Sequence, residues 1–191
     1  MNQDVNLLVV EDETVYSRII MYQLSKLEIP GKKRHVHLGT SIAEMQEVKE
    51  FLNPDIVLLD LGLPDSQGTE TFKLSKEIYP ESAIIILTGN NDEAMASRLV
   101  SSGAQDFLFK ADADTKVLGK TIDYALDRMN YQRELIELSD KPIISDHGSS
   151  NPIVVTITEE IDALIAGSAE MFHSDIQEAL KRIKALVAQI P

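Results

Sequence analysis

The sequence predicts an α/β protein built on a parallel β-sheet, and three features support that prediction. Short apolar runs alternate with segments at helical spacing over about the first two-thirds of the 191 residues. The loops between these segments are short, which is typical of proteins in which a helix connects each strand to the next parallel strand. The run from Ile56 to Leu59 has four consecutive apolar residues, which is typical of a strand covered on both faces.

The first part of the chain supplies two strand–helix pairs. Val5–Val10 is a short run rich in β-branched residues, and the apolar residues of Thr14–Leu27 then share one helical face. His35–Leu38 is a weaker strand pattern, which we expect near an edge of the sheet. Ile42–Leu52 is amphipathic and ends before Pro54, because the residue before a proline disfavours helical backbone angles.

Three more strand–helix pairs follow. The strands are expected at Asp55–Asp60, Ala83–Thr88 and Asp106–Lys110. The helices are expected at about Gly68–Tyr79, Glu93–Ser102 and Thr115–Leu138. Pro80 stops the first of these helices, and Gly103 ends the second. Five such units suit a flavodoxin-like, doubly wound five-stranded sheet better than a barrel, which needs eight.

The rest of the chain is predicted to be a linker and a helical extension. Residues 140–152 are rich in Pro, Gly, Ser and Asp and lack periodicity. Thr156 and Glu159 then form a capping-box pattern. An apolar stripe follows, formed by Ile176, Leu180, Ile183, Val187 and Ile190. We therefore expect a domain at 1–139, a linker at 140–152 and a C-terminal helical extension at 153–191 that mediates homodimerisation or partner docking.

Composition limits the classes of function. The net charge of −13 disfavours contact with phosphate backbones, so no direct nucleic-acid binding is expected. No apolar run approaches the roughly 20 residues that span a bilayer, so no membrane insertion is expected. The N-terminus lacks the pattern of a signal peptide, and the chain has no cysteine. These features predict a cytoplasmic protein.

Polar residues at the ends of the predicted strands carry the candidate chemistry. Glu11 and Asp12 follow the first strand, and Asp60 ends the third. If they converge, these carboxylates repel each other unless a cation lies among them, and oxygen ligands with open water positions favour Mg²⁺. Thr88 and Lys110 end the fourth and fifth strands and would stabilise a phosphoryl group during transfer. Asp60 would be the nucleophile that forms an aspartyl phosphate.

Four segments, in this order and at this spacing, resemble the receiver domain of bacterial two-component response regulators. They are Leu7–Glu13, Asp55–Gly68, Ile86–Gly89 and Gly103–Lys110, within a resemblance that covers about Val5 to Leu138. The resemblance implies that Asp60 is the phosphoacceptor. It also implies that Asp12 and Asp60 bind Mg²⁺ directly, that Glu11 acts mainly through water, and that the backbone carbonyl of Gly62 completes the protein ligands.

The resemblance assigns the remaining roles as well. Thr88 is similar to the hydroxyl that moves toward the phosphate, Phe107 to its aromatic rotamer partner, and Lys110 to the lysine that pairs with a phosphoryl oxygen. Two positions depart from the family pattern, because Ala111 stands where a cis-bonded proline is usual and Gly89 replaces a commoner alanine. These departures resemble receivers joined to sensor or signalling modules more than receivers joined to DNA-binding domains.

The expected function is that of a response regulator in a two-component phosphorelay. A histidine kinase or phosphotransfer protein would donate the phosphoryl group, and an unidentified downstream protein would read the conformational change. Apart from self-catalysed phosphoryl transfer and slow autodephosphorylation, no enzyme activity is expected.

Three alternatives remain beside this function. A phosphotransferase or phosphohydrolase of the haloacid dehalogenase type would need an aspartate where Gly62 stands. A non-phosphorylated scaffold could dimerise through the tail. A phosphotransfer protein with a degenerate histidine phosphotransfer-like tail would use His173, which lacks the Leu-Lys-Gly that follows such a histidine.

Overall fold

A computed structural model describes residues 4–29, 31–89 and 93–139, together with residues 161, 181–183 and 185. The backbone forms two compact units, residues 1–126 and 127–191. The first unit contains the sheet and the helices that cover it.

Five parallel strands form one sheet in the order β2–β1–β3–β4–β5. The strands are β1 (Val5–Val10), β2 (Arg34–Gly39), β3 (Ile56–Asp60), β4 (Ala83–Thr88) and β5 (Asp106–Phe109). This order is that of the flavodoxin-like fold, whose topological switch point lies between β1 and β3. The predicted fold class is therefore confirmed.

The polarity of each strand matches its place in the sheet. Every side chain of β4 is buried, as are those of Ile56 to Leu59 in β3. By contrast, β2 exposes His35 and His37 because it pairs only on one side, with β1. The prediction that the weaker strand lies at an edge is confirmed.

Five helices connect and follow the strands. They are α1 (Thr14–Lys26), α2 (Ile42–Val48), α3 (Thr69–Ile78), α4 (Glu93–Ser101) and α5 (Thr115–Ser139). Between β3 and α3, Gly62–Leu63 pairs antiparallel with Ser66–Gln67, and a 3₁₀ helix, Lys110–Asp112, follows β5. The described helices do not combine the length and apolar content that crossing a membrane requires.

Helix α2 ends four residues before the predicted end at Leu52. Residues 49–51 form a turn, and the N–H of Leu52 donates to the carbonyl of Val48. Leu52 is nevertheless buried, with 6% of its surface exposed. Leu52 therefore packs in the core from a turn and not from a helix. Its apolar side chain continued the helical spacing in the sequence, so the predicted helix was too long.

The main hydrophobic core joins the sheet to α2 and α3. Met45 of α2 and Phe72 and Ile78 of α3 cluster with residues of β1, β3 and β4. Ile20 and Leu24 of α1 and Leu118 and Ile122 of α5 are also completely buried. Burial of both faces fixes the strand ends, which carry the candidate site.

The predicted linker, 140–152, lies outside the described residues, as does most of the predicted extension. The described residues of the extension, 161, 181–183 and 185, are helical, and Ile161 and Ile183 are buried. The division into a domain at 1–139, a linker and an extension at 153–191 stays a prediction.

Candidate functional site

Three carboxylates meet where β1 and β3 end. Val10 pairs with Leu59 in the sheet, so Glu11 and Asp12 follow β1 at the level where Asp60 ends β3. One carboxylate oxygen from each of these three residues lies within 4.8 Å of the other two. The structure therefore brings together the three carboxylates predicted from the sequence.

Lys110 lies between two of these carboxylates. Its Nζ is 2.7 Å from Glu11 Oε2, with which it forms an ion pair, and 2.8 Å from Asp60 Oδ2, to which it also donates a hydrogen bond. The lysine comes from the start of the 3₁₀ helix after β5, and β4 separates β5 from β3. The long side chain of lysine therefore spans the end of β4 to reach Asp60.

Burial sets the protonation behaviour of this cluster. The side chain of Glu11 is completely buried, and those of Asp60 and Lys110 are 14% and 20% exposed. Desolvation, with a smaller contribution from the charge of Asp60, raises the pKa of Glu11 to about 6, although contact with Lys110 opposes the change. Burial lowers the pKa of Lys110, but its contacts with Asp60 and Glu11 outweigh burial and raise that pKa overall. The lysine is therefore a fixed positive charge beside Asp60.

The two oxygens of Asp60 have different partners. Oδ2 accepts a hydrogen bond from Lys110, and Oδ1 accepts one from the backbone N–H of Gly62 at 3.2 Å. A Cβ at position 62 would lie 3.9 Å from both oxygens, which is ordinary contact. The described contact of Gly62 is thus made by its N–H, and the predicted metal-binding role of its carbonyl stays a prediction.

A cleft of about 670 Å³ opens beside Asp60 and is also lined by Gly62, Thr88, Gly89 and Met95. The hydroxyl of Thr88 donates to the carbonyl of Gly89 at 3.2 Å, so in this state it is bonded within its own strand end. A Cβ at Gly89 would meet no described atom within 4 Å. Thr88 therefore shares the cleft with Asp60, and glycine is not sterically required at position 89.

Phe107 lies in the middle of β5, where it pairs with Ile86. It is half-buried and packs edge-to-face against Phe109, with ring centroids 5.6 Å apart. This packing is compatible with an ordinary core residue and with a rotamer switch, so the predicted switch role stays a prediction.

Glu11, Asp12 and Asp60 form a donor set that suits a hard divalent cation. Two oxygens bound to the same octahedral Mg²⁺ lie at most about 4.2 Å apart, because each bond is about 2.1 Å long. One carboxylate oxygen from each of the three residues lies within 4.8 Å of the other two, which is the scale of one coordination sphere. The three residues therefore fit a shared divalent cation. Binding by Glu11 directly and binding through a water are both compatible with this spacing.

The sequence predicts no site role for two residues that hold neighbouring segments of the chain in place. The carboxylate of Asp65 accepts hydrogen bonds from the N–H groups of Ile42 and Ala43, at 3.1 and 2.9 Å, and so ties the loop after β3 to the start of α2. Tyr16 contacts Lys110. Asp65 follows Pro64, which indicates a turn, but the sequence does not identify the helix that it caps.

Comparisons with known proteins identify the family that this chain resembles. A family model described as the response regulator receiver domain matches residues 7–122, more than half of the chain. The transcriptional regulatory protein YdfI of Bacillus subtilis is 31% identical over 112 residues, which are 49% of this chain and 52% of YdfI. The match therefore spans about half the length of YdfI.

A further relative is similar in sequence, and a solved structure is similar in fold. The chemotaxis protein CheY of Thermotoga maritima is 25% identical over 114 residues, which are 58% of this chain and 90% of CheY. The signal receiver domain of a putative LuxO repressor from Vibrio parahaemolyticus has a similar solved structure, with a TM-score of 0.57 and 23% identity. That similarity covers 70% of this chain and 98% of the solved one.

Proposed function

The chain belongs to the response regulator receiver domain family, and from that premise we propose that it accepts a phosphoryl group on Asp60 in a Mg²⁺-dependent reaction. One observation carries the proposal: Asp60 lies among the carboxylates of Glu11 and Asp12 while Lys110 Nζ contacts its Oδ2 at 2.8 Å. The site thus combines a nucleophile, an acidic cation site and a fixed ammonium.

In the proposed reaction, a carboxylate oxygen of Asp60 attacks phosphorus as the bond from phosphorus to the donor breaks. The donor is the phosphohistidine of a histidine kinase or of a phosphotransfer protein. Mg²⁺ held by Asp12, Asp60 and Glu11, with the carbonyl of Gly62, would offset negative charge on the transferring group. Lys110 would move from the carboxylates to a phosphoryl oxygen. The donor histidine leaves as a neutral imidazole when its other ring nitrogen is protonated, so no further reactant is needed.

The conformational response would follow from the same contacts. The hydroxyl of Thr88 would turn from the Gly89 carbonyl to the phosphoryl group, and Phe107 would change rotamer. A downstream protein would then recognise the altered surface. On this account the protein is a signalling switch, whose only chemistry is its own phosphorylation and slow dephosphorylation.

The test is incubation of the 191-residue chain with acetyl phosphate, with and without Mg²⁺, followed by intact-mass measurement. We expect the mass of one phosphoryl group to be added only when Mg²⁺ is present. Asp60→Asn should abolish the addition, whereas Asp112→Asn, which changes an exposed carboxylate outside the cluster, should not. Phosphorylation of the Asp60→Asn variant would show that Asp60 is not the phosphoacceptor.

The rival functions have less support. Gly62 occupies the place where a haloacid dehalogenase-type enzyme needs a second aspartate, and steady multiple turnover of phosphate esters would revive that alternative. The intact carboxylate–lysine cluster disfavours a non-phosphorylated scaffold. His173, on which a phosphotransfer tail would depend, lies outside the described residues.

We further propose that residues 153–191 mediate homodimerisation, because the apolar stripe predicted there needs a covering surface. Light scattering on the full chain and on a chain ending near Asp140 tests this. The full chain should be a dimer and the shortened chain a monomer. A shortened chain that remains dimeric would exclude the extension from the interface.

A further inference from the structure

Tyr16 contacts Lys110 at both ends of the lysine. Tyr16 lies in the first turn of α1 and is 8% exposed. Its hydroxyl donates to the backbone carbonyl of Lys110 at 3.3 Å, and the Nζ of Lys110 lies 4.7 Å from the centre of its ring. One buried side chain thus holds the carbonyl of the lysine and offers an aromatic face to its ammonium.

The backbone of Lys110 lies just beyond the last residue of β5. It stands at the junction of β5 with a three-residue 3₁₀ helix, and Ala111 follows it without the ring of a proline. A lysine side chain also loses much rotamer freedom when it is held in one position. The side chains of Gln23 and Thr115 form a further hydrogen bond, which ties α1 to the start of α5 just beyond this junction.

The chemistry of Tyr16 suits a permanent donor. Burial, reinforced by the negative charges of Glu11 and Asp60, raises the pKa of the Tyr16 hydroxyl well above its usual range. Like any tyrosine hydroxyl, it is protonated near neutral pH, and it donates a hydrogen bond where it has an acceptor. The carbonyl of Lys110 is that acceptor.

We propose that Tyr16 is a positioning residue for phosphoryl transfer, which holds Lys110 so that its ammonium can pass from Asp60 to the transferring group. This inference rests on the proposed function of Asp60. The hydrogen bond keeps the base of the lysine in place while the side chain moves, and the ring face keeps the ammonium near the cluster. Tyr16 itself does not touch the reacting atoms.

Tyr22 provides a matched control on the same helix. It also has a lysine ammonium over its ring, with Lys26 Nζ 4.1 Å from the centroid, but it is 58% exposed. Initial rates of phosphorylation by acetyl phosphate, at saturating Mg²⁺, are compared for the full chain and its variants. Tyr16→Phe, which keeps the ring, should slow the reaction about twofold to fivefold. Tyr16→Leu should slow it about tenfold, and Tyr22→Phe and Tyr22→Leu should leave it unchanged.

A double-mutant cycle separates positioning from a general structural effect. If Tyr16 acts through Lys110, adding Tyr16→Leu to the wild-type chain should slow phosphorylation. Adding Tyr16→Leu to the Lys110→Ala variant should leave its phosphorylation rate unchanged. An equal slowing in both backgrounds would overturn the proposal. If Tyr16→Leu does not fold, as judged by circular dichroism, the same cycle with Tyr16→Phe decides the question.

The outcomes also separate this inference from the proposed function. A wild-type chain that acetyl phosphate does not phosphorylate would refute the role of Asp60. A wild-type chain that is phosphorylated, with both Tyr16 variants reacting at its rate, would refute the role of Tyr16 alone.

Discussion

The charge of Glu11 should destabilise the metal-free protein, and Glu11→Gln should therefore stabilise it. The pKa of Glu11 rises from its ordinary value of 4.5 to about 6, chiefly because the side chain is buried. A carboxyl group whose pKa is higher in the folded state contributes most to stability at low pH, and this contribution is lost as the pH rises through about 6. At about 1.4 kcal/mol per pKa unit, the ionised group opposes folding by about 2 kcal/mol at pH 8.

Glutamine keeps the shape of the side chain without the charge. In EDTA at pH 8, Glu11→Gln should raise the free energy of unfolding by about 2 kcal/mol, and at pH 5 the gain should fall below about 1 kcal/mol. Mg²⁺ should stabilise the wild type more than the variant, because the cation binds the folded carboxylates. Urea denaturation at both pH values, with and without Mg²⁺, measures these differences.

The control is Glu50→Gln, which changes an exposed glutamate and should leave the pH dependence unaltered. A Glu11→Gln variant that is no more stable than the wild type at pH 8 in EDTA would contradict this expectation. An equal gain in stability at pH 5 and pH 8 would contradict it as well.

Three other predictions concern the cation and the loops that frame the site. Calorimetry should show the dissociation constant for Mg²⁺ rising up to about tenfold per pH unit below pH 6, because protons compete for Glu11. Asp65→Ala should lower the free energy of unfolding by about 1 kcal/mol in urea titrations, because two N–H groups at the start of α2 lose their acceptor, and Asp65→Asn should lower it less. Gly68→Ala should lower the free energy of unfolding by about 1–2 kcal/mol, because Gly68 has φ 61° and ψ −130°, which strain any other residue. Gly89→Ala should change it by less than about 0.5 kcal/mol, because a Cβ there meets no described atom within 4 Å.

The fold could be predicted largely because strand burial leaves a direct trace in the sequence. Ile56 to Leu59 is apolar throughout because both faces of β3 are covered, and His35 and His37 are exposed in β2, which lies at an edge of the sheet. Helix ends were less predictable. Leu52 continues the apolar pattern of α2 from a turn, and hydrophobic spacing alone does not distinguish the two cases.

The site could be predicted as a set of residues but not as a set of contacts. Strand order places Asp60 beside Glu11 and Asp12, and this order is that of the flavodoxin-like fold predicted from the sequence. By contrast, the hydroxyl of Tyr16 meets a carbonyl 94 residues away. In the sequence, Tyr16 was only one of several apolar residues on a helix face. Its partner depends on how α1 packs, which residue spacing does not encode.

The most direct test of the account is to locate the phosphoryl group chemically. The chain is phosphorylated with acetyl phosphate and Mg²⁺ and reduced with borohydride, which converts an aspartyl phosphate to homoserine. Peptide mass mapping should then find homoserine at position 60. Unmodified Asp60 in a chain that carries the phosphoryl group elsewhere would contradict the central claim.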